Sequence, residues 1–374
     1  MNYNKNIFNH KNQYTIGVEE EYMICDPSSG NLINKADEIL DYANNSLKKR
    51  LSYELICSEI ESNTSICSNS NEAIEQVSYL RSKLKEIGQK LDFKIGISGT
   101  HPTASPLDQK FVNTEGYNWV ADQLNYYAKN NITFALHIHV AVPNSELSIK
   151  AVNALRRWIP PLLALSTNSP FFNGIQTGMR SSRTFQFGSF PRTNIPEKFN
   201  SYEHFLSIVN SFVETKTIEK PRQIWWKIRP HLDYGTIEFR MIDVQRSLKK
   251  THMFIALLQA LTHKTIEDSL ADNLNENLSL EILNDGLWKA SRFNFDCLLI
   301  DSSDNENLSM HTFVNKMMNY CEESLAYFNN QDIIDDVNDI LINGSECDDQ
   351  IQIYENNGMN SLKKYLMNNV SYKL

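Results

Sequence analysis

The sequence reads as an α+β chain, and three observations carry that reading. Stretches rich in β-branched and aromatic residues alternate apolar and polar side chains at 14–24, 133–142 and 236–243, the period of a strand with one buried face. A strong amphipathic helix follows Asn69, with Ile74, Val77, Leu80, Leu84, Ile87 and Leu91 as its apolar stripe. The chain beyond 252 is mostly helical in pattern, with segments at 252–270, 308–328 and 333–342 before a frayed tail. No repeat and no low-complexity linker divides the 374 residues. We therefore expect a single domain over 1–374, with a polar lead at 1–13 and a C-terminal helical portion from about 300.

The first strand places Glu19 and Glu21 side by side with Thr15, Gly17 and Met23, and Glu20 with Ile16, Val18, Tyr22 and Ile24. Adjacent carboxylates repel unless a cation or proton sits between them, so the pair reads as a metal site or as a solvated face. A helix is expected over 36–51 and an extended segment over 53–64 carrying Glu54, Glu59 and Glu61. Asn69 can cap the stripe-bearing helix, with Glu72 three residues on. A short strand at 94–99 runs into the turn Gly99-Thr100-His101-Pro102. The strand at 133–142 shows Phe134, Leu136, Ile138, Val140 and Val142 on one face, and His137 and His139 between alanines on the other. Those histidines read as ligands or as core residues bonded to backbone.

A helix over 148–166 must kink or end at Pro160-Pro161. The stretch 167–199 lacks periodicity and reads as a binding loop, in which Arg180 and Arg183 can grip a carboxylate or phosphate or simply face water. A hairpin follows, 224–231 and 236–243, turning at Asp233-Tyr234-Gly235. Its second strand puts Glu238 and Arg240 on one face, an ion pair or part of a site, and Ile237, Phe239 and Met241 on the other.

Composition narrows the function. Hydrophobic content of 41% and charged content of 22% suit a globular protein, and a net charge of −9 without a basic cluster argues against a nucleic-acid surface. No apolar run is long enough to span a bilayer, and no signal peptide is visible. The six cysteines form no CxxC pair and read as reduced thiols in a cytoplasmic protein. A P-loop is excluded, because no GxxxxGK[ST] occurs.

Six separated motifs together resemble the bacterial carboxylate–amine ligases related to glutamate–cysteine ligase type 2, of the glutamine-synthetase-like superfamily. They are Gly17-Val18-Glu19-Glu20-Glu21, Gly99-Thr100-His101-Pro102, Leu136-His137-Ile138-His139-Val140, Asn168-Ser169-Pro170-Phe171-Phe172 with Thr177-Gly178, residues 226–230, and Gly235-Thr236-Ile237-Glu238-Phe239-Arg240. The resemblance runs in order over about residues 14–300 and implies a curved antiparallel sheet forming a funnel-shaped site, with helices outside. It implies two or three Mg2+ or Mn2+ ions held by Glu19, Glu21, Glu54, Glu61, His137 and Glu238, with Glu59 as the alternative to Glu54. Glu54 and Glu61 lie seven apart, so a bend between them is required if both bind metal. Arg240 and Arg229 are implied as phosphate contacts and Arg183 as a carboxylate contact. Arg180, His139, Thr100, Lys289 and Arg292 complete the implied substrate and nucleotide contacts.

The implied activity is an ATP-dependent ligase that activates a carboxylate as an acyl phosphate for attack by an amine. The γ-carboxylate of glutamate and the amine of cysteine lead, with another acid–amine pair or a non-catalytic nucleotide- and metal-binding member as alternatives. Amino acids and ATP are the expected partners, and self-association is left open. Three positions depart from the family pattern: Lys289 where Arg is expected, Asn294 where Gly is expected, and Gln176 where an acid is usual. They leave the substrate pair open.

Overall fold

A computed structural model describes residues 7–374 of the chain. The expected polar lead is described only from residue 7; residues 1–6 lie outside the described residues. The strands are β1 (Ile16–Cys25), β2 (Leu51–Tyr53), β3 (Glu59–Asn63), β4 (Lys94–Gly96), β5 (Ala135–Ala141), the small pair β6 (Phe171–Phe172) and β7 (Ile175–Gln176), β8 (Ile228–His231) and β9 (Thr236–Asp243). Seven of them form one antiparallel sheet in the order β2-β3-β1-β5-β9-β8, with β4 also paired to β1. A two-stranded ribbon, β10 (Leu298–Asp301) and β11 (Glu306–Ser309), lies apart from it.

The helices are α1 (Ala36–Tyr42), α2 (Asn45–Lys48), α3 (Ser70–Leu91), α4 (Glu115–Leu124), α5 (Ser145–Leu155), α6 (Ile159–Ser166), α7 (Ser182–Gly188), α8 (Tyr202–Glu214), α9 (Leu248–Leu270), α10 (Leu280–Phe293), α11 (Met310–Tyr327), α12 (Ile333–Asn343) and α13 (Glu346–Asn368). Alternation along the strands decides which face they cover. Ile16, Val18, Leu136, Ile138, Val140, Ile237 and Phe239 turn to one side, where α5, α6 and α9 bury them. A second apolar cluster packs the far end of β1, with Tyr22 and Ile24, against α1, α3 and α13. The opposite face of the sheet is polar and walls a funnel-shaped cavity, with the helices outside.

One buried contact sets the roll of β1. Glu20, between the two site-facing glutamates, accepts hydrogen bonds from Arg81 Nε at 2.9 Å and Nη2 at 2.6 Å. Arg81 also donates to the carbonyls of Gln245 and Arg246. A bidentate pair of this kind is geometrically specific, so it fixes Glu20 inward and therefore Glu19 and Glu21 outward.

Several expected elements differ. The helix over 36–51 is broken at Ala43, because Asn44 accepts from the Ser46 and Leu47 amides and starts α2 afresh. The extended segment 53–64 is a hairpin, β2 turning back into β3 with Tyr53 opposite Ile60 and Ser52 opposite Glu61. The helix expected over 148–166 begins at Ser145 and breaks at the 3-10 turn Arg156–Trp158, so the prolines open α6, where their missing donors are harmless. The tail is no frayed end: α13 runs 23 residues with a non-helical Gly358 inside it. Helices α4, α8 and α10 were not among the expected elements, and 167–199 holds β6, β7 and α7.

Candidate active site

Strand register assembles the site. Glu19 of β1 stands opposite His137 of β5, Glu21 opposite Glu61 of β3, and His139 opposite Glu238 of β9, which in turn faces Arg229 of β8. Residues directly opposite on antiparallel strands share a face. The hairpin between β2 and β3 then supplies the bend that lets Glu54 join Glu61 on one wall.

A β-bulge re-aims the last part of β9. Leu136 pairs with Ile242 and Ile138 with Phe239, so Arg240 and Met241 together oppose His137. Arg240 keeps to the cavity face while Met241 and Ile242 both enter the core.

The cavity holds about 1240 Å³. Its walls are of opposite sign. One carries Glu19, Glu21, Glu54, Glu59 and Glu61, and the other carries Arg183, Arg229 and Arg240, with Glu238 between the last two. His137 Nδ1 lies 3.2 Å from Glu19, and its Nε2 lies 3.8 Å from Glu21. His139 Nε2 lies 3.4 Å from Glu19, and its Nδ1 is hydrogen-bonded to Thr236 at 2.9 Å.

Ionisation follows the charge layout. Burial raises the carboxyls of Glu54, Glu59 and Glu61 well above the usual range, and neighbouring carboxylates raise them further: Glu21 beside Glu54 and Glu59, Glu19 beside Glu61. Glu238 is buried too, but Arg229 and Arg240 hold it well below that range. Glu19, only partly buried, is pulled low by His139 and His137. His137 itself is lowered by burial and by Arg240.

Two triads bring ligand atoms within 4.8 Å of one another: Glu19, His137 and Glu238, and Glu21, Glu61 and His137. His137 Nε2, His139 Nε2 and Glu59 Oε1 are buried without a hydrogen-bond partner. Buried polar atoms are seldom left so, and this donor set of carboxylates and imidazole fits a hard divalent cation.

Four expected contacts stand elsewhere. Arg180 Nη1 binds Asp348 at 2.5 Å, drawn to the acidic first turn of α13. Thr100 is buried and donates to the Phe171 carbonyl. Lys289 pairs with Asp285 one turn earlier on α10, and Arg292 donates to the Gly178 carbonyl. None of the four lines the cavity. Of the departures from the family pattern, Asn294 sits at φ 55° and ψ −114°, a positive-φ conformation that favours glycine.

Sequence reasoning missed Lys227, which is buried beside Arg183 and Arg240 with no partner for its ammonium. It also missed the aromatic residues Tyr117, Trp225 and Tyr234 on the cavity wall. Lys227 falls just before β8, where alternation gives no signal.

The glutamate–cysteine ligase family 2 profile matches residues 15–364. The chain belongs to that family. A relative from Herpetosiphon aurantiacus, named "Putative glutamate–cysteine ligase 2", is 31% identical over 92% of this chain and 90% of its own length. Among solved structures, glutamate–cysteine ligase from Francisella tularensis in complex with AMP superposes with a TM-score of 0.74 at 12% identity, covering 96% of this chain and 87% of that one. A bifunctional glutathione synthetase from Pasteurella multocida gives 0.68 at 14% identity, over 95% of this chain and 51% of that one. As a family member the protein is an ATP-dependent carboxylate–amine ligase, forming a C–N bond with ATP as co-substrate. No helix among the described residues is long and apolar enough to cross a membrane.

Proposed function

We propose that the protein joins the γ-carboxylate of glutamate to the amine of cysteine, giving γ-glutamylcysteine, ADP and phosphate. The observation that carries this is the cavity of two opposed charges, an acidic wall facing an arginine wall across the strands. In this reading Glu19, Glu21, Glu54, Glu61, His137 and Glu238 hold Mg2+ or Mn2+, with Glu59 beside them. When bound, such ions neutralise the triphosphate and the charge that develops on it.

The residues of the chain divide the remaining work. Arg240 and Arg229 face the phosphates, and Arg183 faces a substrate carboxylate. A γ-carboxylate oxygen attacks the γ-phosphorus of ATP and ADP leaves, so the substrate becomes an acyl phosphate. The amine nitrogen then attacks the acyl carbon and phosphate departs. Fixed guanidinium groups stabilise the charge on the leaving phosphate. The proton lost by the amine passes to an ionised carboxylate of the acidic wall, where Glu59 Oε1 has no partner of its own.

A different acid–amine pair is the second reading: Gln176, where the family usually carries an acid, is one of the departures that leave the substrates open. ADP release measured with glutamate plus cysteine, and then with other acids and amines, decides between them. ADP formed only when both amino acids are present supports the first reading. Its absence with that pair and presence with another pair supports the second.

A further inference from the structure

We propose that Tyr234 is the platform on which the adenine ring of ATP stacks, which rests on the reading of the cavity as an ATP site. Among the aromatic residues of the cavity wall, Phe187 and Phe190 are buried, Tyr117 is tied to the Tyr53 carbonyl and Tyr53 to Asp37 through their hydroxyls, and Trp225 packs on Phe190 with Arg192 over its ring. Tyr234 is 61% exposed. One face of its ring is stacked on His231, with centroids 4.4 Å apart and planes within 9°. His139 meets it edge-on at 5.5 Å. The residue lines the cavity.

The ring is held in place before any ligand arrives. It sits on the β8–β9 turn, where the Gly235 amide donates to the His231 carbonyl at 3.0 Å and the Asp233 amide donates to His231 Nδ1 at 3.3 Å. Gly235 has φ 68°, and a Cβ there would run into the Ile7 carbonyl, so the turn is pinned against the chain's N-terminal segment. A planar aromatic surface fixed in this way loses little entropy on stacking.

Its position suits the base rather than the phosphates. His139, which touches the Tyr234 ring, also lies beside Glu19, and Glu19 shares a triad with His137 and Glu238. A triphosphate placed along that triad and the Arg229–Arg240 pair has its reacting end toward Arg183. The opposite end of the nucleotide then projects toward the turn. Lys220 and Arg222 also line the cavity. An aromatic heterocycle is the ligand group that an exposed, backed ring recognises.

The test compares the equilibrium binding of ATP and of inorganic tripolyphosphate, each with Mg2+, to the full-length protein and to Tyr234→Ala and Tyr234→Phe. Wild type should hold ATP more tightly than tripolyphosphate. Tyr234→Ala should weaken ATP by roughly 5- to 100-fold, the usual loss for a base–aromatic stack, and leave tripolyphosphate unchanged. Tyr234→Phe should match wild type. Equal loss of both ligands in Tyr234→Ala, or no loss of either, overturns the proposal. If wild type binds tripolyphosphate as tightly as ATP, the base has no platform and the inference fails while the phosphate site stands. If neither binds, the ATP reading of the cavity falls with it.

Discussion

Replacing Lys227 with methionine should make the protein more stable. The ammonium is fully buried, lacks any hydrogen-bond partner, and faces Arg183 and Arg240, with Asp243 as the one acid among its neighbours. Burial first, and the two arginines second, push its pKa from 10.5 down to about 7. At about 1.4 kcal/mol for each tenfold in proton affinity, the charged form costs the fold at most about 5 kcal/mol. Methionine fills similar space without charge but gives up the contact of the ammonium with the Phe187 ring, at 5.4 Å, worth about 1–2 kcal/mol. The expected net gain is about 3 kcal/mol. An unfolding entropy of about 0.8 kcal/mol/K for a chain of 374 residues turns that into about 4 °C in Tm.

The pH dependence gives the sign an independent check. Below pH 7 the lysine is protonated in both folded and unfolded chains, so the wild type bears the whole penalty and the variant gains most. Between pH 7 and 10.5 the folded chain sheds the proton that the unfolded chain keeps, so the wild type recovers stability as pH rises. Thermal melting of both proteins at pH 6 and pH 10 should show a gap of about 4 °C closing to about 1 °C. A variant that melts at or below the wild-type temperature at pH 6 would show that the ammonium has a partner, and the unpaired-cation argument would be wrong.

The other expectations can be set side by side. Glu61→Gln removes one charge at nearly constant volume, so it should abolish divalent-cation-dependent ADP release while the folded protein remains; turnover within a few-fold of wild type would mean that the site is misplaced. Arg240→Lys keeps a charge but loses the planar fork, so kcat should fall with little change in melting. Met241→Ala, in contrast, opens a cavity at a fully buried position and should cost about 2–5 kcal/mol of stability with smaller effect per folded molecule. Because Glu54, Glu59 and Glu61 have raised folded-state pKa values, their protonated forms favour the fold. The metal-free protein should therefore lose stability as pH rises above the ordinary carboxylate range, and Mg2+ should restore it; melting curves across pH in chelator and in Mg2+ read this directly.

What was legible in the sequence was local. The alternation of 14–24, 133–142 and 236–243 is a two-residue period, and it is enough to tell which side chains share a face before any pairing is known. Thus Glu19 with Glu21, His137 with His139, and Glu238 with Arg240 all line the cavity. Features made by distant partners were not legible. Glu20 reads as one polar residue on an apolar face, and only Arg81, brought by α3, explains it. Arg180 looks like a free anion-binding group until Asp348, far along the chain, takes it. The bulge opposite His137 leaves no mark in composition, yet it sends Met241 and Ile242 into the core together. Polar residues disguised α13, whose buried Leu362, Leu366 and Met367 are too few to raise a clear stripe.

The electrostatics of the two triads explain why a fold would keep so many acids in one cavity. Glu238 has its charge answered within the chain, by an arginine on each side, and Glu19 is answered by two histidines. Their triad is therefore ionised at neutral pH and can take a cation without giving up a proton. Glu61 is raised by burial and by the carboxylates of Glu19, Glu54 and Glu21, and burial likewise holds Glu54 toward the protonated form. A cation taken up there must displace protons, so its affinity rises with pH where that of the first triad is flat. His137 belongs to both triads and is itself held low by burial, which keeps its nitrogen free as a ligand. The uncompensated wall thus costs the empty fold stability and returns it as affinity for divalent cations, which is how a binding site and a destabilising cluster come to be the same residues.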